Sequence, residues 1–422
     1  MLTCAHVADP LFQIRSGCAG FSAGPRRPVS GTSPIPNWFI QYVDVSQDLV
    51  EFGSIGRHTG LRVMTTVPRN RPKQNDPQID DGSSWLDASG WKRCVYRFAY
   101  YSGVTKVIRG RYAGCGSLLM FHEVQDDEPA GLTGGVSPQF FENLLRWLRT
   151  QGWAFISLGD VLRWHTQPSE RFVCLTFDDG YRDNVANALP ILERYGAPFV
   201  LYIPTAAVTR ELYPWWIGLR ALLLKKDVVD IDAMGARFIG SDLARKIKAY
   251  RTISSWIGQD YRRQFALEPA FAAAGISIRE LNERYYLNER ELEALSRHPL
   301  ATIGGHTSTH ASLSALEPDE ARAEIAENRG FLENLVQKPV VDFAYPYGDE
   351  KSCGQREAML VANAGFRSAV TTRSGQIWPQ HQNWPHALPR IGITMDDSRA
   401  VIDGRLSGIR GLLNPGRRVV AW

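Results

Sequence analysis

The stretch Leu175-Thr176-Phe177-Asp178-Asp179-Gly180 continues a short run of apolar, β-prone residues that begins at Phe172. This run leaves no room for a helix before Gly180, so it predicts a buried strand with two adjacent carboxylates at its C-terminal end. Because neighbouring strand residues point in different directions, one Asp can hold a metal ion while the other faces a substrate.

A second strand end carries two histidines. The apolar residues 300–303 are followed by Gly304-Gly305 and then directly by His306-Thr307-Ser308-Thr309-His310. An isolated Asp-Asp-Gly most often forms a turn or a cap, and an isolated pair of histidines at this spacing is commonly solvated. Chance is a poor explanation for two strand ends in one chain that both carry metal-ligand residue types.

Asp179, His306 and His310 together provide one carboxylate and two imidazoles, with coordination positions left open. Such a set suits a divalent metal that activates water. The sequence therefore predicts a metal site at these three residues, with Zn²⁺ as the first candidate.

The two motifs are followed by a third strand end, Phe343-Ala344-Tyr345-Pro346-Tyr347-Gly348. Together they resemble the polysaccharide deacetylases, carbohydrate esterase family 4, which includes chitin, peptidoglycan and nodulation (NodB-type) chitooligosaccharide deacetylases. The resemblance covers about residues 91–395. It implies a metal-dependent hydrolase that removes N-acetyl groups from an N-acetylated sugar of an oligo- or polysaccharide.

Strand and helix patterns alternate along the chain, which predicts an α/β fold with a parallel sheet closed or nearly closed into a barrel. The resemblance implies a distorted (β/α) barrel of about seven strands. The alternation lapses between residues 205 and 290, where we expect a helical insertion that forms a lid or a wall. Residues 1–90 are expected to be a poorly ordered extension with one strand-like stretch at 38–45. Residues 91–400 then form the deacetylase domain, and residues 401–422 form a tail.

The resemblance also implies catalytic roles. Asp178 would be the general base, and the backbone N–H of Tyr347 would stabilise the oxyanion. His122, in Met120-Phe121-His122, resembles the catalytic acid of circularly permuted family members, in which this strand comes first. Many relatives carry an orienting Arg where Ala344 stands, and Arg390 is the candidate replacement, although a structural role for Arg390 is an equal alternative.

Five further residues are candidate substrate contacts. Tyr345, Pro346 and Gly348 belong to the third strand end, and the missing side chain of Gly348 would let the backbone turn close to the acetamide. Trp215 and Trp216 lie in the insertion, and aromatic rings can stack on sugars, although tryptophan pairs more often serve packing.

The composition of the 422 residues is that of an ordinary soluble protein, and a net charge of +4 is too small to indicate a nucleic-acid partner. The six cysteines lack framework spacing and indicate free thiols in a reducing compartment. We find neither a membrane-spanning stretch nor a secretion signal, so we expect a cytoplasmic protein. The aromatic and basic residues 96–108 could dock on the main domain or touch a membrane surface.

Two alternatives remain open at this point. The chain could hydrolyse another non-peptide amide, or it could be a catalytically silent carbohydrate-binding protein. The motifs do not identify the glycan. The expected cytoplasmic location favours an oligosaccharide or a lipid-linked precursor as substrate.

Overall fold

The computed structural model describes residues 90–129, 131–163, 171–413 and 419–420. The strand-like stretch at 38–45 and the rest of the expected extension before Gly90 lie outside the described residues. The strands are β1 Gly116–Phe121, β2 Ala154–Phe155, β3 Phe172–Phe177, β4 Phe199–Ile203, β5 Val228–Ile231, β6 Ala236–Ile239, β7 Ala301–Gly305, β8 Asp342–Ala344, β9 Ser368–Val370 and β10 Arg390–Gly392.

Helices alternate with these strands. They are α1 Gly90–Tyr101, α2 Val104–Tyr112, α3 Pro138–Thr150, α4 Leu158–Val161, α5 Leu189–Tyr195, α6 Thr205–Thr209, α7 Trp215–Lys225, α8 Leu243–Ile257, α9 Glu268–Ala274, α10 Ile278–Tyr285, α11 Glu289–Ser296, α12 Pro318–Val336, α13 Gln355–Asn363, α14 Arg399–Leu406 and α15 Ile409–Leu413. A π-helix, Asn184–Ala188, directly precedes α5.

Seven parallel strands form a barrel in the order β10-β1-β3-β4-β7-β8-β9, and β2 pairs with β3 outside this path. The two ends of the sheet meet at a parallel bridge between Val370 and Leu388. There the Leu388 N–H donates to the Ala369 carbonyl at 3.0 Å, and the Thr371 N–H donates to the Leu388 carbonyl at 2.9 Å. This nearly closed arrangement confirms the distorted (β/α) barrel of about seven strands.

Alternation along the strands decides which side chains face the site. In β3, Phe172 and Cys174 belong to the apolar cluster inside the barrel, whereas Val173 and Leu175 belong to the core between the barrel and its helices. The same alternation, continued past the end of β3, points Asp178 towards the barrel interior.

The segment between β4 and β7 is the expected insertion. Its helices α7, α8 and α9 share an apolar core of their own, which includes Leu219, Ile253 and Phe271. A β-hairpin of β5 and β6, which the sequence analysis did not predict, accompanies these helices.

Helices from both ends of the described chain pack together. The lead-in residues fold into α1 and α2, of which α1 packs on α14 and α2 on α15. The lead-in therefore docks on the main domain. No secondary structure was predicted after residue 400, but residues 401–406 belong to α14 and residues 409–413 form α15. Val401, Leu406 and Ile409 are buried. No helix in the described part is both long enough and apolar enough to cross a bilayer.

Candidate active site

The carboxyl ends of the barrel strands open into a cavity of about 360 Å³. Side chains that are distant in sequence meet there because parallel strands deliver their ends to one edge of the barrel. The cavity is lined by His122, Glu123, Thr133, Gly134, Asp178, Asp179, Tyr181, Trp215, Trp216, Arg220, Tyr250, His306, His310, Tyr347 and Thr372. The structure thus brings together all predicted site residues except Arg390, Tyr345, Pro346 and Gly348, which do not line the cavity.

The three predicted metal ligands converge. Their ligand atoms lie within 4.8 Å of one another, and Asp179 Oδ1 is 3.4 Å from His306 Nε2 and 3.3 Å from His310 Nε2. His306 Nδ1 lies 2.7 Å from the Ala344 carbonyl, which can only accept, so Nδ1 carries the proton and Nε2 presents a lone pair.

Asp179 Oδ1 is buried and has no hydrogen-bond partner among the described residues. A buried carboxylate oxygen without a hydrogen bond lacks the positive charge that would satisfy it. Asp179, His306 and His310 therefore fit a shared divalent cation and are the residues that would hold it.

The backbone around the site is strained. Asp179, Thr307, His310 and Tyr347 have φ values of 73°, 60°, 61° and 63°, in the left-handed region that non-glycine residues rarely adopt. Such conformations persist only where the surrounding structure fixes them, and they cluster at functional sites.

The pKa values of Asp179 and His310 match the protonation states that a metal requires. Burial raises the pKa of Asp179, but the facing imidazoles outweigh burial and hold this pKa well below its ordinary value. Burial lowers the pKa of His310 despite the opposing effect of Asp179. The carboxylate is therefore charged and His310 is neutral near pH 7, as metal ligands must be.

Asp178 is held by Arg390. The guanidinium of Arg390 donates to both carboxylate oxygens, with Nη1–Oδ1 at 2.6 Å and Nη2–Oδ2 at 2.7 Å. Arg390 also donates to the Thr371 carbonyl and to the Thr176 hydroxyl, and its side chain is fully buried. Burial raises the pKa of Asp178, but the charge and hydrogen bonds of Arg390 outweigh burial and keep this pKa below its ordinary value. Arg390 thus holds the Asp178 carboxylate in one direction through two hydrogen bonds.

His122 lies at the end of β1, which pairs with β3 on one side and β10 on the other. The Asp178 N–H donates to the Phe121 carbonyl at 3.1 Å, and the Asn184 side chain donates to the His122 carbonyl at 2.8 Å. These bonds place the half-buried imidazole beside Asp178 and Asp179 in the cavity wall.

The loop after β8 contributes Tyr347. Among the described residues its backbone N–H donates no hydrogen bond, while its carbonyl accepts one from the Thr372 hydroxyl at 2.6 Å. Gly348 follows at φ 57°, and a Cβ at this position would lie 2.8 Å from the Thr372 nitrogen. Gly348 is therefore required by the turn itself.

Tyr345 was predicted to contact the substrate, but it does not line the cavity. Its side chain is buried in the core beside Phe343, and its hydroxyl donates to the His386 carbonyl at 2.9 Å. Strand alternation continues from Phe343 to Tyr345 and turns the ring away from the cavity. Tyr345 and the buried Pro346 shape the loop and do not contact the cavity.

Helix α7 supplies the aromatic wall. Trp216 Nε1 donates to the Tyr181 hydroxyl at 2.7 Å, and its ring lies 5.0 Å from that of His310. Trp215 Nε1 donates to the Tyr347 hydroxyl at 3.2 Å. The insertion thus reaches the site through both predicted tryptophans.

A buried ion pair that no sequence pattern predicted lies in the same wall. Arg220 of α7 donates to both carboxylate oxygens of Glu123 at 2.8 Å, and the two side chains are 2% and 3% exposed. The Thr133 hydroxyl also donates to Glu123. The available signal was an arginine among the apolar residues 215–224 of α7, because a buried charge requires a partner.

Residues 165–367, which hold both aspartates, both histidines and the Tyr347 loop, match the family model of the polysaccharide deacetylases. This segment is similar to a polysaccharide deacetylase domain. Proteins with this domain are hydrolases of carbon–nitrogen bonds. His122 and Arg390 lie outside the matched segment, and β1 and β10 bring them to the site.

Similarity to individual proteins is distant. The chain is 20% identical over 280 residues to the Bacillus subtilis (strain 168) protein named "Putative polysaccharide deacetylase YxkH", covering 66% of this chain and 71% of that one. Among solved structures, the Streptococcus pyogenes deacetylase PplD in complex with acetate is 18% identical with a TM-score of 0.46, covering 68% of this chain and 95% of that one. IcaB from Ammonifex degensii is 16% identical with a TM-score of 0.45, covering 69% and 97%.

Proposed function

We propose that this protein is a metal-dependent hydrolase that removes N-acetyl groups from an N-acetylated sugar of an oligo- or polysaccharide. The observation that supports the proposal is that two carboxylates adjacent in sequence lie in different environments. Asp179 faces two imidazoles within 4.8 Å, whereas the adjacent Asp178 is held by Arg390 and stays free of the triad. A pure binding protein has no need of a base beside a metal site.

Asp179, His306 and His310 would hold the ion, for which Zn²⁺ is the best candidate. When bound there, a divalent ion polarises the amide carbonyl and lowers the pKa of water. Asp178 is anionic near neutral pH because Arg390 holds its pKa low, so it can accept a proton from the attacking water. Arg390 fixes the direction of that carboxylate through two hydrogen bonds.

The remaining roles follow from the cavity wall. The Tyr347 N–H would donate to the oxygen that becomes negatively charged as the water adds to the carbonyl. His122 would protonate the sugar nitrogen as the C–N bond breaks, so that acetate and a free amine leave. Trp216, whose ring is partly exposed in the cavity, is the better of the two tryptophans to contact the sugar, because Trp215 is buried.

The experiment is acetate release from N-acetylglucosamine oligomers by purified protein, before and after chelation and after Zn²⁺ is restored. We expect release that chelation abolishes and Zn²⁺ restores. The variant Asp178→Asn should retain the metal and lose turnover, which separates the base from the metal ligands. Release from simple non-sugar amides alone would favour the other amide hydrolase, and metal-insensitive or absent release would refute the proposal.

We also propose a cytoplasmic location. The cysteines of the described residues, Cys94, Cys115, Cys174 and Cys353, are free thiols, as is usual in reducing compartments. Cell fractionation with thiol labelling tests this, and recovery of the protein from an oxidising compartment would contradict it.

Peripheral contact with a membrane surface is a separate proposal. Phe98 and Tyr101 of α1 are 72% and 75% exposed and lie close to the basic Arg97. Exposed aromatic rings beside basic side chains favour anionic lipid surfaces. Co-sedimentation with anionic vesicles, compared with neutral ones, tests this contact.

A further inference from the structure

The side chain of Tyr347 is held by two residues of the insertion. Trp215 Nε1 of α7 donates to the Tyr347 hydroxyl at 3.2 Å. Tyr261 is the first residue of a 3₁₀-helix, Tyr261–Leu267, that follows α8. Its ring stacks on the Tyr347 ring, with 3.6 Å between the ring centroids and 19° between the ring planes. We call Trp215 and Tyr261 the aromatic clamp.

The clamp is anchored to the rest of the protein. Both of its residues and the Tyr347 ring belong to, or pack against, the apolar core that the insertion helices share. Further along the same helix as Trp215, Arg220 donates two hydrogen bonds of 2.8 Å to the Glu123 carboxylate in the loop after β1. The clamp therefore has little freedom to move relative to the barrel strands, so it can hold the side chain that it contacts.

The backbone of Tyr347 depends on the clamp. Its φ of 63° lies in the left-handed region, which non-glycine residues keep only where the surrounding structure holds them. Its carbonyl accepts from the Thr372 hydroxyl at 2.6 Å, and its ring is held by the clamp. Because the ring and the carbonyl are attached to the same Cα, fixing both of them also fixes the direction of the N–H. That N–H donates to no group among the described residues.

We propose that Trp215 and Tyr261 are positioning residues for the hydrolysis. They keep the Tyr347 N–H directed at the substrate oxygen that becomes negatively charged, and they do so without touching the substrate. A hydrogen-bond donor assists such a step most when it is oriented before the charge develops. The inference rests on the proposed function and deepens it, because the insertion then supports the oxyanion donor as well as forming a wall of the cavity.

Tyr261→Leu tests the clamp by removing the stacked ring while keeping an apolar side chain. Tyr213→Leu is the matched control, because Tyr213 is also a half-buried tyrosine that packs on the insertion core. Its ring lies 5.1 Å from that of Phe265 and 6.2 Å from that of Phe271, and it has no ring contact with Tyr347 among the described residues. Tyr261→Phe keeps the stacked ring and is the conservative replacement.

Acetate release from N-acetylglucosamine oligomers gives kcat and KM for the whole protein supplied with Zn²⁺. Complete loss of an oxyanion donor lowers kcat by about 100- to 1,000-fold, and a donor that is loosened but still present should lose part of this effect. We therefore expect Tyr261→Leu to lower kcat about 10-fold and to change KM by less than about 2-fold, because the donor acts in the transition state. Tyr261→Phe should restore kcat, and Tyr213→Leu should retain the wild-type value.

Hydrogen–deuterium exchange gives a readout that needs no turnover. The Thr372 N–H donates to the carbonyl of Gly348, the residue after Tyr347, at 2.9 Å. Exchange of this N–H therefore reports how firmly the loop is held. Tyr261→Leu should speed exchange at Thr372, whereas Tyr213→Leu should leave it unchanged.

Trp215→Phe serves if Tyr261→Leu does not fold. It removes the donor to the Tyr347 hydroxyl and should lower kcat about 5-fold, as the loss of one hydrogen bond allows. The proposal is overturned if the clamp variant keeps the kcat of active wild-type protein, or if Tyr213→Leu loses as much kcat as the clamp variant. Either result leaves the proposed function standing. Wild-type protein that releases no acetate in the presence of metal refutes the proposed function itself, whatever the exchange shows.

Discussion

The ion pair between Asp178 and Arg390 can be tested by replacing the arginine. Arg390→Met keeps a long apolar chain but leaves the Asp178 carboxylate buried without its partner. The two side chains are 4% and 0% exposed, so little hydration can replace the two lost hydrogen bonds. Removing one member of such a pair costs about 3–5 kcal/mol of unfolding free energy.

A double-mutant cycle isolates the pair. Asp178→Asn leaves the Arg390 charge unpaired and should cost a similar amount, whereas Asp178→Asn combined with Arg390→Met removes both charges. The double variant should therefore be about 2–3 kcal/mol more stable than the sum of the single variants implies. Urea unfolding followed by circular dichroism measures this, and Arg279→Met, at an exposed pair with Glu283, should change stability by less than about 1 kcal/mol.

The pH dependence gives a second readout of Arg390→Met. Arg390 lowers the folded-state pKa of Asp178, so the stabilisation is present above the unfolded pKa and is lost as pH falls through the folded pKa. Without Arg390 the pKa of Asp178 rises, and the acid limb of the kcat/KM profile should move to higher pH. A wild-type profile together with additive stabilities would refute the role of Arg390.

Three further outcomes follow from the site. His310→Ala should lose the bound metal, measured by elemental analysis of protein purified with Zn²⁺, and retention of about one ion per chain would contradict the assigned triad. Arg220→Met should lower the unfolding free energy by about 3–5 kcal/mol because Glu123 loses its buried partner, and an unchanged urea midpoint would contradict the importance of this pair. Gly348→Ala should cost about 1–3 kcal/mol and reduce kcat, because φ is 57° and the added Cβ would lie 2.8 Å from the Thr372 nitrogen; an active variant of wild-type stability would refute this.

The meeting of Asp179 with the histidine pair could be predicted from the sequence because Asp179 and His306 each lie within two residues of the end of a recognisable apolar strand. Parallel strands bring their carboxyl ends together whatever the separation in sequence, so Asp179 and His306 could be placed at one edge before their contact was known. Strand alternation from Phe343 to Tyr345 also predicts that the Tyr345 ring faces the core.

Other contacts could not be found this way. The bond between Glu123 and Arg220 joins the loop after β1 to a helix of the insertion, and no local pattern specifies how α7 turns towards the barrel. The ion pair between Arg251 of α8 and Asp396, 3.8 Å apart, likewise joins the insertion to the segment after β10. Packing between segments that are distant in sequence decides such contacts, and periodicity within one segment carries no information about them.

The position of β1 between β3 and β10 has a consequence for biosynthesis. A ribosome releases β1 early, yet one edge of this strand stays open until Arg390–Gly392 has emerged. The same segment carries Arg390, which pairs with Asp178. Pairing of β10 with β1 therefore closes this edge of the barrel and gives the proposed base its counter-charge at the same time. A nascent chain stopped before β10 would carry Asp179, His306 and His310 but expose an unpaired strand edge, which is a recognised route to aggregation.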